Sequence, residues 1–224
     1  MEASTERALK IAEFLLTIGA VRLNPENPFT WASGLRSPIY CDNRKTLSFP
    51  TIRDAVRDAF AEIIRTSYPK AQCIAGVATG GIAIGALAAQ ALNLPFIYVR
   101  SEAKKHGLNN QVEGHLEPGQ RVVVIEDLVS TGKSSLQAVQ ALREAGAQID
   151  GMVAIFTYGF EKAREQFAAS GCRLETLSHF DALVTQAVRM HAIEGKHQQV
   201  LNDWKLNPEL WSERFTAKTH TTAS

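Results

Sequence analysis

The amino-acid sequence predicts an α/β fold in which a parallel β-sheet is flanked by helices. Three observations support this prediction. Short apolar runs without strict alternation recur along the middle of the chain, each is paired with a helical pattern, and turn residues separate the two. Strands buried on both faces have this continuous apolar character, because the connecting helices cover the sheet.

The first predicted elements are two helices that enclose a segment rich in turn residues. Residues 5–18 place their apolar side chains on one helical face and are followed by Gly19, a helix stop signal. Residues 20–47 contain no long helical pattern. A second helix is predicted from Pro50, since proline suits the first helical turn, to a point before Pro69.

Strands and helices then alternate regularly, which predicts parallel βαβ units. The predicted strands are 72–77, 95–100, 121–126 and 150–157, and the predicted helices are 81–92, 132–145 and 160–170. Residues 180–204 have a helical pattern again, and we expect the polar end, 216–224, to be frayed.

Composition and charge exclude several classes of partner. The 224 residues include 24 Lys and Arg against 23 Asp and Glu, so the formal net charge is only +1. This balance argues against broad electrostatic binding to nucleic acid or to a membrane surface. The three widely spaced cysteines show no zinc-ligand spacing, and the N-terminal residues lack the pattern of a secretory signal. We therefore expect a cytoplasmic protein with reduced thiols.

One stretch could be mistaken for a membrane span, because residues 73–99 carry no charge. The stretch is rich in Ala and Gly, however, and turn residues interrupt it at 79–81 and 93–95. We interpret it as a strand, a glycine turn, a helix and a second strand.

The polar segment 101–118 is long for a connection inside a compact domain, and such loops are often lids or binding loops. Arg100 and the run from Lys104 to Gly107 make it basic, and Gly114 could act as a hinge. A solvated surface loop is the alternative.

The stretch "VVVIEDLVSTGKSS", residues 122–135, ends like a nucleotide-binding P-loop. That motif requires a second glycine five positions before Gly132, and Asp127 stands there instead. A carboxylate at that position would oppose a triphosphate. The sequence therefore does not predict a nucleoside triphosphatase.

The same stretch can bind a phosphorylated sugar. Glu126 and Asp127 follow a buried strand, at the edge where open α/β sheets bind ligands. Residues 130–134 then offer hydroxyls and backbone N–H groups at a helix N-terminus, which suits one phosphate group. A strand-turn-helix junction with incidental acids is the alternative.

These residues resemble a known signature. "VVVIEDLVSTG" is similar to the motif of the type I phosphoribosyltransferases that binds 5-phosphoribosyl 1-pyrophosphate (PRPP). Three further blocks resemble the orotate phosphoribosyltransferase family: the base-binding hood "FTWASGLRSPIYCDNR" (29–44), the pyrophosphate turn "GVATGGIAIG" (76–85) and the catalytic lid "YVRSEAKKHG" (98–107). The resemblance implies a type I phosphoribosyltransferase-like parallel sheet with a small hood formed mainly by the N-terminal segment.

The resemblance also implies an activity and a domain organisation. The activity is the formation of orotidine 5′-monophosphate from orotate and PRPP with Mg²⁺, in a homodimer whose lid residues are shared across subunits. The implied divisions are an N-terminal helix and hood (1–48), a PRPP-binding core (49–206) with its lid (101–118), and a partly disordered tail (207–224). A phosphoribosyltransferase for another base and a PRPP-sensing regulator are the alternatives.

Residue roles are implied by the same resemblance. Lys104, His106 and Asp127 would be catalytic. The PRPP-binding set would be Arg100, Lys104, His106, Glu126, Asp127, Leu128, Val129, Ser130, Thr131, Gly132, Lys133 and Ser134. Ala78, Thr79 and Gly80 would form the pyrophosphate turn, and Ser130, Ala32, Ser33 and Gly34 would contact orotate. Mg²⁺ would bind mainly through PRPP and water, without a direct protein ligand.

The chain departs from one branch of the family, which has lysines at the positions of Ala32, Gly80 and Ser101. How the orotate carboxylate is neutralised is therefore open, with Arg36 and Arg44 as candidates. For Trp31 and Tyr40, also in the hood block, we expect core packing.

Overall fold

A computed structural model describes residues 2–100 and 111–221. Its helices are α1 (Glu2–Thr17), α2 (Pro50–Ser67), α3 (Gly80–Leu92), α4 (Lys133–Glu144), α5 (Glu161–Ala169), α6 (Phe180–Arg189), α7 (His197–Leu206) and α8 (Pro208–Thr221), with a 3₁₀ helix at Asn43–Ser48. Its strands are β1 (Val21–Leu23), β2 (Phe29–Thr30), β3 (Arg36–Ser37), β4 (Ile39–Cys41), β5 (Cys73–Val77), β6 (Phe96–Val99), β7 (Val112–Glu113), β8 (Arg121–Val129), β9 (Gln148–Thr157) and β10 (Leu174–His179).

The predicted parallel sheet is confirmed. Six strands pair in the order β10-β9-β8-β5-β6-β7, and only β7 is antiparallel to its neighbour. All five residues of β5 are buried, and so are the apolar residues of β8 from Val122 to Ile125. Their burial explains why these runs are apolar without alternation.

Glycines allow α3 to begin very close to the sheet. A β-carbon added to Gly81 would lie 2.4 Å from the carbonyl oxygen of Ile125, and one added to Gly76 would lie 2.6 Å from the carbonyl oxygen of Gly81. Both distances are shorter than any side chain tolerates. The two glycines therefore place the first turn of α3 directly against β5 and β8.

The uncharged stretch 73–99 contains β5, α3 and β6, as interpreted from the sequence. Among the residues that the structure describes, none of the helices combines the length and the apolar character needed to cross a membrane.

The structure differs from the sequence predictions at β8, at β10, in the segment 20–47 and after residue 189. The helical pattern predicted over 180–204 is divided into α6 and α7, and α8 was not predicted. β8 continues past residue 126 to Val129, because Glu126, Leu128 and Val129 remain in register with β9. β10 was not predicted, since its polar residues hide the strand pattern. The segment 20–47 contains short antiparallel pairs, β1 with β4 and β2 with β3, whose length is below what periodicity can detect.

The chain divides into two compact units. Residues Thr46–His179 form one unit, which contains the six-stranded sheet. Met1–Lys45 and Phe180–Ser224 form the other. The divisions implied by the family resemblance, at residues 48 and 206, stay a prediction.

The second unit has its own apolar core, in which α1 packs against α6. Trp204 of α7 is fully buried there. The ring of Trp31 meets it edge to face at 5.7 Å, and the indole N–H of Trp31 donates to the carbonyl of Ile39 (3.1 Å). Trp31 is half-buried and packs against this core, which agrees with the packing role expected from the sequence.

Candidate active site

The candidate site lies at the carboxyl edge of the six-stranded sheet, where three neighbouring strands end. β5 leads into the turn at Ala78 and Thr79, β6 ends before Arg100, and β8 ends before Ser130. Since β6, β5 and β8 are adjacent and parallel, their ends meet at one edge. The predicted pyrophosphate turn (78–80) and the predicted PRPP-binding loop (126–134, here called the PRPP loop) thus come together.

Glu126 is buried inside the loop, with 6% of its surface exposed. Its Oε1 accepts a hydrogen bond from the backbone N–H of Asp127 (3.0 Å), and its Oε2 accepts one from the Ser135 hydroxyl (3.0 Å). Burial, and secondly the adjacent Asp127 carboxylate, raise the pKa of Glu126 well above its ordinary value, while the Ser135 hydrogen bond acts to lower it.

Asp127 is half-buried, and its carboxylate lies against the first turn of α3. A β-carbon added to Gly80 would lie 2.2 Å from Cγ of Asp127 and within 2.4 Å of both carboxylate oxygens. Only glycine at residue 80 leaves room for this arrangement. Asp127 and Gly80 of the predicted pyrophosphate turn are therefore in direct contact.

The pyrophosphate turn itself is partly open to solvent. Thr79 is exposed, Ala78 and Gly80 are half-buried, and the peptide between Ala78 and Thr79 is cis. The N–H of Ala78 donates to the carbonyl of Val99 (2.8 Å), which ties the turn to the end of β6.

The PRPP loop ends at a helix N-terminus suited to an anion. Gly132 is the N-cap of α4, adopts a φ of 85°, and supplies no side-chain cap to the first-turn N–H groups. A β-carbon there would lie 2.9 Å from the Phe167 ring, so packing as well as backbone conformation requires glycine. Thr131, Lys133 and Ser134 are exposed beside these N–H groups. Uncapped N–H groups of this kind bind phosphate.

Val129, by contrast, is fully buried and its side chain lies in the core of the sheet unit. Its carbonyl accepts from the Thr157 hydroxyl (3.0 Å) and from the N–H of Tyr158 (3.3 Å). The Thr157 hydroxyl also accepts from the N–H of Gly159 (3.0 Å). Thr157, which sequence reasoning did not assign, thus fixes the base of the PRPP loop. Leu128 is half-buried.

Lys104 and His106 of the predicted lid, together with Ser101, lie outside the described residues. Arg100 is described: its N–H donates to the carbonyl of Gln111 (2.9 Å), and its guanidinium lies 3.6 Å from the Glu113 carboxylate. Gly114 has a φ of 108°, and a β-carbon there would lie 2.9 Å from Cγ2 of Ile97, so glycine is needed for close packing on β6.

Ala32, Ser33 and Gly34, predicted to meet orotate, form the exposed tip of the β2–β3 hairpin. The N–H of Trp31 donates to the carbonyl of Leu35 (2.9 Å), and the N–H of Gly34 donates to the carbonyl of Trp31 (2.8 Å). Gly34 has a φ of 86°, which glycine adopts without strain. This hairpin belongs to the unit formed by Met1–Lys45 and Phe180–Ser224.

Comparisons with known proteins identify the chain's relatives. Residues 46–184 match the family described as "Phosphoribosyl transferase domain". An orotate phosphoribosyltransferase from Cytophaga hutchinsonii is 52% identical over 204 residues, which is 91% of this chain and 98% of the relative. One from Bacillus caldolyticus is 54% identical over 201 residues, 90% of this chain and 97% of the relative. The chain belongs to the orotate phosphoribosyltransferase family.

Solved structures of family members share the fold. Orotate phosphoribosyltransferase from Aeropyrum pernix has a TM-score of 0.71 and 32% identity, covering 82% of this chain and 99% of its own. UMP synthase from Leishmania donovani has a TM-score of 0.74 and 27% identity, covering 88% of this chain but 42% of that longer chain.

The two arginine candidates for the orotate carboxylate already have partners. Arg36 donates to the Thr30 hydroxyl across its hairpin (2.9 Å), and Arg44 donates to the Asp42 carboxylate (2.7 Å). The Arg44 guanidinium lowers the pKa of Asp42, so that pair is charged at neutral pH. Neither arginine therefore stands out as a dedicated carboxylate ligand in this orotate phosphoribosyltransferase family member.

Proposed function

We propose that this chain transfers the 5-phosphoribosyl group from PRPP to N1 of orotate, releasing pyrophosphate and forming orotidine 5′-monophosphate in pyrimidine biosynthesis. One observation carries the proposal. Relatives that are 52–54% identical over about nine-tenths of the chain are named orotate phosphoribosyltransferase. The contact between Asp127 and Gly80 supports the proposal. It places the carboxylate expected to face the ribose beside the turn expected to hold the pyrophosphate, and the reaction breaks the bond between these two groups.

The reaction breaks the bond between C1 of the ribose and the pyrophosphate oxygen, and it forms a bond between C1 and N1 of orotate. Pyrophosphate leaves with the electron pair of the broken bond, and N1 gives up its proton. The sugar becomes positively charged in between. The Asp127 carboxylate, at the turn where pyrophosphate would lie, would stabilise that charge.

Opposite ends of PRPP would bind different elements. The 5-phosphate would accept hydrogen bonds from N–H groups of residues 130–134, at the uncapped start of α4. Backbone groups of residues 78–80 would receive the pyrophosphate. Arg100, Lys104 and His106 would then neutralise the negative charge that grows on pyrophosphate as the bond breaks, and a closing lid would exclude water.

Magnesium is the proposed cofactor, bound mainly through PRPP and water. The half-buried Asp127 carboxylate makes the turn negative, which fits a hydrated cation carried in on PRPP. When bound, Mg²⁺ supplies positive charge against the departing pyrophosphate. Within residues 2–100 and 111–221, no group of three or more His, Cys, Asp or Glu side chains is placed to hold a metal ion.

For orotate, Ser130 at the end of β8 and the hairpin residues Ala32, Ser33 and Gly34 are the proposed contacts. We also propose a cytoplasmic homodimer in which lid residues of one subunit complete the site of the other. Family resemblance supports the orotate contacts and the homodimer, and the cysteine pattern of the sequence supports the cytoplasmic location.

A panel of bases tests the proposed function. The protein is mixed with PRPP and Mg²⁺ and with orotate, uracil, adenine or hypoxanthine, and the nucleotide product is separated by chromatography. Only orotate should yield a nucleotide. Consumption of a purine without consumption of orotate would identify a different phosphoribosyltransferase, and PRPP binding without any product would indicate a regulator.

A further inference from the structure

The Glu126 carboxylate has both oxygens engaged inside the protein. Oε1 accepts from the N–H of Asp127 and Oε2 accepts from the Ser135 hydroxyl, both at 3.0 Å. Glu126 is 6% exposed and Ser135 is 1% exposed. A buried carboxylate needs such donors, because few waters reach it to replace them.

Ser135 links the two ends of the PRPP loop. It is the third residue of α4, whereas Glu126 lies near the end of β8, and the residues between them are the predicted phosphate-binding residues. Their hydrogen bond therefore closes the loop at its base. The neighbouring first-turn residues Lys133 and Ser134 are exposed, so Ser135 is the serine of this turn that faces the interior.

Charge around Glu126 makes the Ser135 hydroxyl important. The residue paired with Glu126 on β9 is Ala154, and Gly81 of α3 lies next to the Glu126 backbone. Neither neighbour carries a charge. Among the residues that the structure describes, Asp127 is the charged group that acts on Glu126, and it repels the ionised Glu126 carboxylate. Ser135 and the Asp127 N–H are the donors that favour the ionised form in this setting.

We propose that Ser135 is a positioning residue for PRPP use: its hydroxyl holds the Glu126 carboxylate, and through it the loop that presents Asp127 and residues 130–134 to ribose 5-phosphate. This inference rests on the proposed function, in which that loop binds PRPP. Ser135 lies outside the PRPP-binding residues that the family resemblance implies, and because it is only 1% exposed it would not contact the substrate itself. Its effect would be exerted through Glu126.

The test is the variant Ser135→Ala in the full chain. We expect the KM for PRPP to rise on the order of tenfold, as for the loss of one hydrogen bond to a charged group, with a smaller change in kcat. The acidic limb of the pH profile of kcat/KM for PRPP should move to higher pH, since Glu126 loses a donor that favours its ionised form. Calorimetry with PRPP and Mg²⁺ should show the same weakening without any turnover.

A matched control is Ser67→Ala. The Ser67 hydroxyl donates to the Glu175 carboxylate (3.1 Å) in the same unit, between α2 and β10 and away from the PRPP loop. This variant should keep the wild-type KM for PRPP and the wild-type pH profile. If Ser135→Ala does not fold, Ser135→Cys, with a thiol that is a weak donor of similar size, replaces it.

A double-mutant cycle with Glu126→Gln shows whether Ser135 acts through Glu126. Ser135→Ala should add little in the Glu126→Gln background. Full additivity, an unchanged PRPP affinity and pH profile, or an equal effect of Ser67→Ala would each overturn the proposal. A wild-type protein that binds PRPP but leaves orotate unchanged would refute the proposed function alone, since calorimetry would still decide the role of Ser135.

Discussion

The Asp127 carboxylate lies against Gly80, in the space that a β-carbon on residue 80 would need. A β-carbon on residue 80 would lie 2.2 Å from Cγ of Asp127, so no side chain fits at residue 80 unless Asp127 moves. In this chain, glycine at residue 80 and the orientation of Asp127 depend on each other.

Gly80→Ala should therefore impair catalysis by displacing Asp127. We expect kcat/KM for PRPP to fall by about 10²-fold, the effect of moving a catalytic group by about 1 Å. Steady-state kinetics at saturating orotate would measure it. Gly195→Ala is the matched control, because a β-carbon at Gly195 meets no atom within 4 Å. Equal activity of Gly80→Ala and the control would show that the orientation of Asp127 is unimportant.

Lys104→Ala should lower turnover while leaving PRPP binding nearly intact. A cation that neutralises the departing pyrophosphate acts mainly in the transition state, so we expect kcat to fall by roughly 10²–10³. Stopped-flow or steady-state rates and PRPP calorimetry would separate the two effects. Lys70→Ala, which removes an exposed lysine after α2, serves as the control. An unchanged turnover number would remove Lys104 from the mechanism.

Glu126→Gln should change the pH dependence of stability. The pKa of Glu126 in the folded protein lies above its value in the unfolded chain. At pH values between these two pKa values, the folded protein therefore binds the Glu126 proton more tightly than the unfolded chain does. The free energy of unfolding contributed by this group therefore falls as the pH rises from about 4.5 through the folded-state pKa. Glutamine does not ionise, so the variant does not lose this part of the free energy of unfolding as the pH rises.

Urea unfolding at pH 5 and pH 8 would measure the effect of Glu126→Gln. The variant should gain stability relative to wild type at pH 8, and gain less at pH 5. Glu144→Gln, at the exposed end of α4, should follow wild type at both pH values. Parallel pH dependence of wild type and Glu126→Gln would argue against an elevated pKa.

Mixed dimers test the shared lid. Lys104→Ala and Asp127→Asn should each be nearly inactive alone. If the lid reaches the neighbouring subunit, a heterodimer has one intact site, and a statistical mixture should regain about a quarter of wild-type activity. Co-expression of two differently tagged chains would provide the sample. No recovery in verified heterodimers would place each lid over its own site.

The apolar strands of the sheet were predictable because buried runs such as Val122–Ile125 need no partner to be recognised. The extension of β8 through Glu126 and Asp127 could not be predicted, since charged residues normally mark the end of a strand. Backbone pairing with β9 overrides that tendency here. α8 was not predicted, because its residues form no clear apolar stripe along one face of the helix.

Residue types around the site followed from the sequence, whereas their contacts did not. The acid pair and the helix start predicted a phosphorylated sugar. The hydrogen bond from Ser135 to Glu126 depends on which face of α4 turns inward, and the contact of Asp127 with Gly80 depends on how closely α3 approaches β8. Such distances are set by packing between segments far apart in the chain.

The proposed transfer to orotate can be followed by the absorbance of orotate after the protein is mixed with PRPP and Mg²⁺. We expect a PRPP-dependent loss of orotate absorbance, with one equivalent of pyrophosphate released for each orotate consumed. Gly80→Ala should slow this loss and Gly195→Ala should not. A folded, PRPP-binding protein that leaves the orotate absorbance unchanged would contradict the proposed function.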